Sequence, residues 1–469
     1  MLTTKALVQP VAKPSLPNPG LSNPPVAQPN TASAKASSPQ LRFQRPDASQ
    51  ENPLRKLAFY SGLCMLFLRF GVIPELMLYL TGINFYLLYI FGPPAILGGL
   101  VTGAVQRTFR HKAAWLWTGF LVWMIIAVPF SSWVGGSTQM VLTYGRTDFA
   151  FLFVIGGLAT NWKEVRAIFY TIAAAAVANL VTAQIFMKTD LGGRFSMEAS
   201  GTIGNANDLA AHLILVMPFL LFVILDPRRS SIIRIPLLLA VPYALWVILG
   251  TGSRGAFVAL GVTFIFALFM ASPGQRLAVL AGTIMMAVIV PLLLPGLVLT
   301  RLGSVFGQDH KEAEESGASR EYLLRQSLIF SAENPIFGVG PDQFSNFEGK
   351  TRLSEGRRGN WHVTHNTWTQ VSSECGIPAL IFFVLALGSA LKKTYKTYRE
   401  ARQKGFKEIA NACFCFLLGM VGYLSAITFL SGAYTFYLPA MIGLSCSMSY
   451  LATKHMQTVN SGLTPARVR

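Results

Sequence analysis

The chain has 469 residues, of which 52% are hydrophobic and 13% are charged. An average soluble protein carries roughly 25% charged residues, so about half of the expected charge is missing. The mean hydropathy is +0.46. Such a composition cannot supply the polar surface of a soluble chain of this length, and it excludes a soluble enzyme, a disordered protein and a secreted disulfide scaffold. We therefore predict a polytopic membrane protein.

Residues 1–53 form the first segment of distinct composition. They contain ten of the 26 prolines and no apolar run. Such a segment cannot bury enough surface to offset the entropy of ordering, so we predict a disordered Pro-rich cytoplasmic tail. It lacks an early apolar core followed by small residues, which argues against a signal peptide. A role as a proline-rich ligand for a partner protein stays open.

Apolar stretches long enough to cross a membrane follow one another along the rest of the chain. We predict nine in residues 54–299 and three in residues 366–452. The fold class is then an all-α polytopic membrane protein with about 12 transmembrane helices, with eleven as the alternative count. The first stretch is the weakest, because Arg69, Pro74 and Glu75 interrupt it.

The distribution of Lys and Arg fixes the predicted orientation. With the N-terminus in the cytoplasm, the inside segments hold 26 Lys and Arg, whereas the short outside loops and helix ends hold four. This asymmetry is typical of cytoplasmic loops in membrane proteins. We predict that both termini, including a tail at 453–469, are cytoplasmic. The net charge of +18 then reflects topology, and we expect no nucleic-acid partner.

Residues 300–365 form one large extracytoplasmic loop with soluble-like sequence. The loop carries nine acidic and eight basic residues. A short helix is predicted between Ser319 and Ser331, because Leu324 and Leu328 share one helical face. We expect this helix to lie on the membrane surface or to cap the helical bundle.

The first polar motif at the outer ends of the spans is Gly192-Gly193-Arg194. It precedes a helix for which Asn207 or Asp208 is the expected N-cap. The glycines allow close backbone approach. An ordinary loop followed by a capped helix is the alternative interpretation.

The second motif places Arg254 between Ser253 and Gly255, at the junction of two apolar helices. An arginine at this depth is costly unless it is paired or faces a polar cavity. It could also extend its head group to the interface. The neighbouring glycine and a helix N-terminus favour an anionic ligand instead.

The third motif begins the tenth span. Asn366, Gln370 and Glu374 are spaced by four, which predicts one polar stripe inside the bundle. A structural carboxylate at a polar helix start is the alternative. His362 and His365 precede the stripe, but no third ligand has the usual spacing for zinc, so we expect no metal.

These residues resemble a known family. Ser253-Arg254-Gly255-Ala256, then Glu333-Asn334-Pro335-Ile336-Phe337-Gly338-Val339-Gly340, then His365-Asn366 and Glu374-Cys375-Gly376-Ile377 follow in that order. Their order and spacing are similar to those of the O-antigen ligase and O-antigen polymerase superfamily of bacterial membrane glycosyltransferases.

The resemblance implies a GT-C-like fold in the bacterial cytoplasmic (inner) membrane, with the active site on the periplasmic or outer side. The enzyme would move a glycan from a polyprenyl-pyrophosphate donor, such as undecaprenyl pyrophosphate, to an acceptor hydroxyl. The acceptor is lipopolysaccharide core in ligases, a growing polysaccharide in polymerases, and Ser or Thr in protein O-oligosaccharyltransferases. No metal and no cofactor is implied.

Residue chemistry suggests the roles within that scheme. Arginine offers bidentate, permanently charged donors to a pyrophosphate, which fits Arg254 and also Arg194. A histidine suits the activation of a hydroxyl near neutral pH, which makes His365 the expected catalytic base of an inverting displacement. Ser253, Asn366 and Glu374 are expected to support the site.

A lipid-linked glycan transporter, or flippase, is the alternative from another class. Transporters typically have inverted repeats and polar residues near the middle of the membrane. Here the polar motifs cluster at one membrane face beside the large outer loop, which favours the enzyme.

Overall fold

The structure is a computed structural model, and it describes residues 52–189, 193–197, 203–271, parts of 276–303, 311–358 and 361–460. Most of the predicted tail 1–53 and residues 461–469 of the C-terminal tail lie outside the described residues. In chain order the helices are α1 (Pro53–Phe70), α2 (Ile73–Thr81), α3 (Leu87–Val101), α4 (Ala104–Thr108), α5 (Lys112–Ala127), α6 (Val134–Thr143), α7 (Ala150–Gly157), α8 (Trp162–Phe186), α9 (Ala206–Ile224), α10 (Ser231–Gly250), α11 (Arg254–Met270), α12 (Gly296–Gly303), α13 (Lys311–Glu333), α14 (Phe344–Ser354), α15 (Thr367–Gln403), α16 (Lys407–Ile427) and α17 (Tyr437–Asn460).

The predicted class, an all-α polytopic membrane protein, is confirmed. Among the described residues, six helices are long and apolar enough to cross a membrane, or seven if one bent pair counts as a single span. That pair is α1 and α2, which meet at 60° where Arg69 and Glu75 interrupt the apolar sequence. The two charges form an ion pair with a 3.2 Å N···O distance, so the bend leaves neither of them alone in an apolar environment. The count of twelve and the GT-C-like arrangement stay predictions.

Three features of the fold differ from the sequence prediction in extent. A short antiparallel hairpin of β1 (Met187–Thr189) and β2 (Phe195–Met197) follows α8 and was not predicted. The outer loop contains the predicted helix as part of the longer α13, and α14 in addition. The tenth predicted span covers residues 366–390, but α15 continues to Gln403. The residues beyond the apolar stretch include Lys, Arg and Glu, which are good helix formers and extend the helix.

The outer loop crosses α15 where that helix is broken. The N–H of Gly340 donates to the carbonyl of Glu374 at 2.9 Å, and the N–H of Ile377 donates to the carbonyl of Pro335 at 2.8 Å. The Glu374 carbonyl is available because the residue four positions later is Pro378, which has no N–H. Two motifs of the resemblance, residues 333–340 and 374–377, are therefore hydrogen-bonded to each other.

Gly376 makes the crossing possible. It interrupts α15 with φ 85° and ψ 172°, and a Cβ at this position would overlap the carbonyl of Ile336. Only glycine adopts this conformation without strain. The close approach of the two backbones therefore depends on the missing side chain.

We expect Gly376→Ala to destabilise the protein by at least about 2 kcal/mol, because the new Cβ is both strained and in collision with backbone. Gly388→Ala in the same helix is the matched control, since a Cβ there meets nothing within 4 Å. It should be neutral or slightly stabilising. Thermal unfolding of both purified variants in detergent measures the difference. Equal midpoints for the two variants would contradict the proposed packing.

Candidate functional site

The buried carboxylate of Glu374 joins three segments of the chain. It accepts a hydrogen bond from the Tyr434 hydroxyl at 2.6 Å and from the backbone N–H groups of Asp342 at 3.1 Å and Phe344 at 3.4 Å. Glu374 is 3% exposed. A carboxylate buried to this degree needs such donors to offset the loss of water. The start of α14 and the segment before α17 are thereby attached to α15.

The other two members of the predicted polar stripe are also bonded. Asn366 is the N-cap of α15, and its side-chain oxygen accepts the N–H groups of Trp368 at 3.0 Å and Thr369 at 3.1 Å. The Gln370 side-chain oxygen accepts the N–H of Ala433 at 3.2 Å. The spacing of four thus places three polar side chains on one face of α15, and each of them accepts a hydrogen bond from at least one backbone N–H group.

His365 lies immediately before this helix in a left-handed conformation, with φ 51°. Its N–H donates to the hydroxyl of Ser431 at 3.0 Å. The imidazole is half-buried. Burial, followed by the nearby charges of Arg320 and His362, lowers the pKa of His365 to about 4. The imidazole is therefore neutral at neutral pH and can accept a proton.

Sequence reasoning missed Arg320. This residue lies on α13, close enough to His365 to lower its pKa through charge repulsion. In the sequence it is one of eight Lys and Arg in the outer loop, with no flanking glycine or polar repeat. Only the packing of α13 against α15 reveals that it belongs with the histidine.

The structure brings the first and second motifs together. The Arg194 Nε donates to the carbonyl of Thr251 at 2.8 Å, and its Nη2 donates to the Asn207 side-chain oxygen at 3.0 Å. Arg194 thus connects the start of α9 to the loop that leads into α11. The predicted N-cap at Asn207 or Asp208 is wrong, because Asn205 accepts both of their backbone N–H groups and starts the helix earlier.

Arg254 is the first residue of α11. Ser253 caps this helix, and its hydroxyl accepts the N–H of Ala256 at 3.3 Å. The next residue, Gly255, packs so closely against Phe429 that a Cβ would lie 2.8 Å from the Phe429 Cβ. The backbone of Arg254 is therefore held at a fixed helix terminus.

One short stretch, the 428–436 segment, connects the two halves of the site. It contacts the start of α11 through Phe429, His365 through Ser431, and the polar stripe of α15 through Ala433 and Tyr434. The sequence analysis assigned no functional role to this segment. The segment places the arginine motif and the histidine motif at the same end of the bundle.

In the part of the chain that the structure describes, no group of three or more His, Cys, Asp or Glu residues lies close enough together to hold a metal ion.

Residues 237–384 match the O-antigen ligase family. This range contains Ser253, Arg254, Arg320, His365 and Glu374, whereas Arg194 precedes it. A comparison with curated proteins finds no match. The resemblance to the O-antigen ligase superfamily is confirmed over the matched range, and the match supports a function of the O-antigen ligase type at the level of the family.

We expect Glu374→Gln to destabilise the outer loop, because an amide can accept with only one oxygen and its NH2 faces a backbone donor. The cost should be about 1–3 kcal/mol for the donors left unpaired. Glu355→Gln, at an exposed position after α14, is the control and should be neutral. Thermal unfolding, combined with protease cleavage rates within residues 342–358, measures both effects. Unchanged cleavage in Glu374→Gln would show that the carboxylate does not hold the loop.

Proposed function

We propose that the chain is a membrane glycosyltransferase that moves a glycan from a polyprenyl-pyrophosphate donor to an acceptor hydroxyl on the outer face of the cytoplasmic membrane. The observation that carries this proposal is the 428–436 segment, which contacts both the helix start at Arg254 and the backbone of His365. Under this proposal, a site for an anionic leaving group and a neutral proton acceptor lie at the same end of the bundle.

The leaving group requires stabilisation of negative charge. Arg254 and Arg194 would bind the donor pyrophosphate, since a guanidinium donates in bidentate geometry and stays charged at every physiological pH. The Nε and Nη2 of Arg194 already donate to protein oxygens, which orients its guanidinium at the junction between α9 and α11. This chemistry needs no metal, because the cations come from the chain itself.

His365 would act as the catalytic base. The acceptor O–H gives its proton to the imidazole while the oxygen forms a bond to the anomeric carbon. The bond from that carbon to the pyrophosphate oxygen breaks on the opposite face, and the pyrophosphate leaves with the electron pair. The displacement inverts the anomeric configuration.

Arg320 would make the basicity of His365 depend on whether the donor is bound. The charge of Arg320 adds to the effect of burial and lowers the pKa of His365. A bound pyrophosphate would counter that charge and raise the proton affinity of the imidazole, which brings its pKa closer to the range that general-base catalysis needs. We assign a supporting role to Ser253, Asn366 and Glu374, since the side chain of each one accepts backbone N–H groups and holds the chain in place at the site.

Several acceptors fit the same chemistry. A ligase, a polysaccharide polymerase and a protein O-oligosaccharyltransferase differ in the hydroxyl that attacks, and we place the chain with the ligases because of the matched family. A lipid-linked glycan transporter is the second class. The arginine and histidine motifs at one end of the bundle favour transfer over transport, since transporters place their sites near mid-membrane.

We expect His365→Ala to lose at least about two orders of magnitude in transfer rate, the low end for removal of a general base. Arg254→Lys should lose most activity while it still accumulates in the membrane, because lysine keeps the charge without the bidentate geometry. His362→Ala, at an exposed position, is the control and should stay active. A reconstituted assay with lipid-linked donor measures new glycosidic bonds. Normal transfer by His365→Ala refutes the base, and movement across the bilayer without new bonds identifies a transporter.

The pH profile tests Arg320. We expect activity of the wild type to fall on acidification as His365 protonates, with a pKa of about 4 in the free protein. Arg320→Gln removes a repelling charge, so the pKa of His365 should rise and the acid limb of kcat/KM should move to higher pH. Burial is the larger cause and persists, so the pKa should stay below 6.5. Arg325→Gln, an exposed position on the same helix, should leave the profile unchanged.

If Arg320→Gln has no activity, NMR titration of the His365 ring measures the change in its pKa directly. An unchanged His365 pKa in Arg320→Gln would refute the electrostatic contact between the two residues.

A further inference from the structure

A cavity of about 330 Å³ lies near the far end of α17, away from the candidate site. Three cationic side chains line it: Arg107, Arg110 and Lys454. No carboxylate is among the lining residues in the described part of the chain. The side chains that line the cavity therefore present three positive charges to it.

Its walls hold the guanidinium groups in place. The Arg107 Nε donates to the carbonyl of Gly157 at 2.6 Å, and its Nη1 donates to the carbonyl of Thr102 at 2.7 Å. The Arg110 Nη1 donates to the Tyr450 hydroxyl at 2.8 Å, and its guanidinium lies over the Tyr450 ring, 5.2 Å from the centroid. Such fixed cations bind an anion with less loss of side-chain entropy than mobile ones.

The cavity lies near the opposite membrane face from the candidate site. Tyr437 begins α17 beside the 428–436 segment, and Lys454 is 17 residues further along this helix. At 1.5 Å per residue this separation is about 25 Å, close to the thickness of the apolar part of a bilayer. By the predicted topology this is the cytoplasmic face, where anionic lipids attract basic side chains.

Apolar surface adjoins the cavity. Gly103 lines it, and two apolar residues shortly before Gly103 in the chain are exposed, Leu100 to 53% and Val101 to 77%. In a membrane these side chains face acyl chains. A ligand with a phosphate head group and an apolar tail fits both surfaces, whereas a soluble phosphate uses only the cations.

We propose that this cavity binds the phosphate head group of an anionic membrane lipid, with Arg107, Arg110 and Lys454 as its cationic contacts. Such a lipid would join the turn after α4 to the end of α17. Basic pockets between transmembrane helices on the cytoplasmic side are a known way to bind anionic lipid head groups. The proposal concerns a binding site separate from the glycan-transfer site and does not depend on that activity.

The test uses the purified full chain in neutral detergent, with native mass spectrometry of phosphatidylglycerol binding and phosphatidylcholine as the zwitterionic reference. The test variant is Arg110→Gln/Lys454→Gln. The control is Lys392→Gln/Lys396→Gln, which removes two exposed cations near the same end of the bundle. Inorganic phosphate in large excess, added to wild type, separates a lipid site from a free-anion site. Lys454→Gln alone replaces the double variant if the latter fails to fold.

We expect the wild type to prefer phosphatidylglycerol over phosphatidylcholine by about tenfold or more. The test variant should lose this preference, the control should keep it, and inorganic phosphate should not displace the lipid. Equal binding of the two lipids, an unchanged preference in the test variant, or full displacement by inorganic phosphate would each overturn the proposal.

Discussion

The carboxylate of Glu374 is the interaction on which the outer part of the structure depends. It collects one hydroxyl and two backbone N–H groups from segments that are far apart in the chain. Loss of a buried acceptor leaves each of its donors without water or partner, and that penalty exceeds the net value of the bonds themselves. Because Tyr434 belongs to the 428–436 segment, the same carboxylate that holds the outer loop also holds the support of His365. The geometry of the proposed base is thus linked to the packing of the loop.

Cationic side chains lie at both the arginine motif and the histidine motif. Arg320 lowers the pKa of His365, and Arg254 begins a helix whose N-terminus itself favours negative charge. In the proposed mechanism, a bound pyrophosphate would bring negative charge close to these cations. Binding of the donor would then complete the charge balance and strengthen the base in one step.

Much of the fold and part of the site could be predicted from the sequence, and the division has a physical basis. The membrane class depends on composition, and the stripe Asn366, Gln370 and Glu374 depends on helical periodicity; both are local properties. Arg320 and the 428–436 segment could not be found in this way. Their importance comes from contacts between residues distant in sequence, which no spacing rule encodes. The N-cap was misplaced for a smaller reason, since Asn205, Asn207 and Asp208 are all good caps and only the backbone path decides among them.

Backbone strain is present where these long-range contacts meet. His365 and Asp342 adopt left-handed conformations with φ of 51° and 61°, although neither is a glycine. Each such residue costs about 1 kcal/mol or more and persists only when its surroundings over-determine it. Those surroundings are visible: the Ser431 hydroxyl accepts the N–H of His365, and the Glu374 carboxylate accepts the N–H of Asp342. Hydrogen bonds between segments far apart in the sequence, rather than local preference, therefore hold the backbone of both residues. In the proposed mechanism, a backbone held in this way would help to align His365 before the pyrophosphate begins to leave.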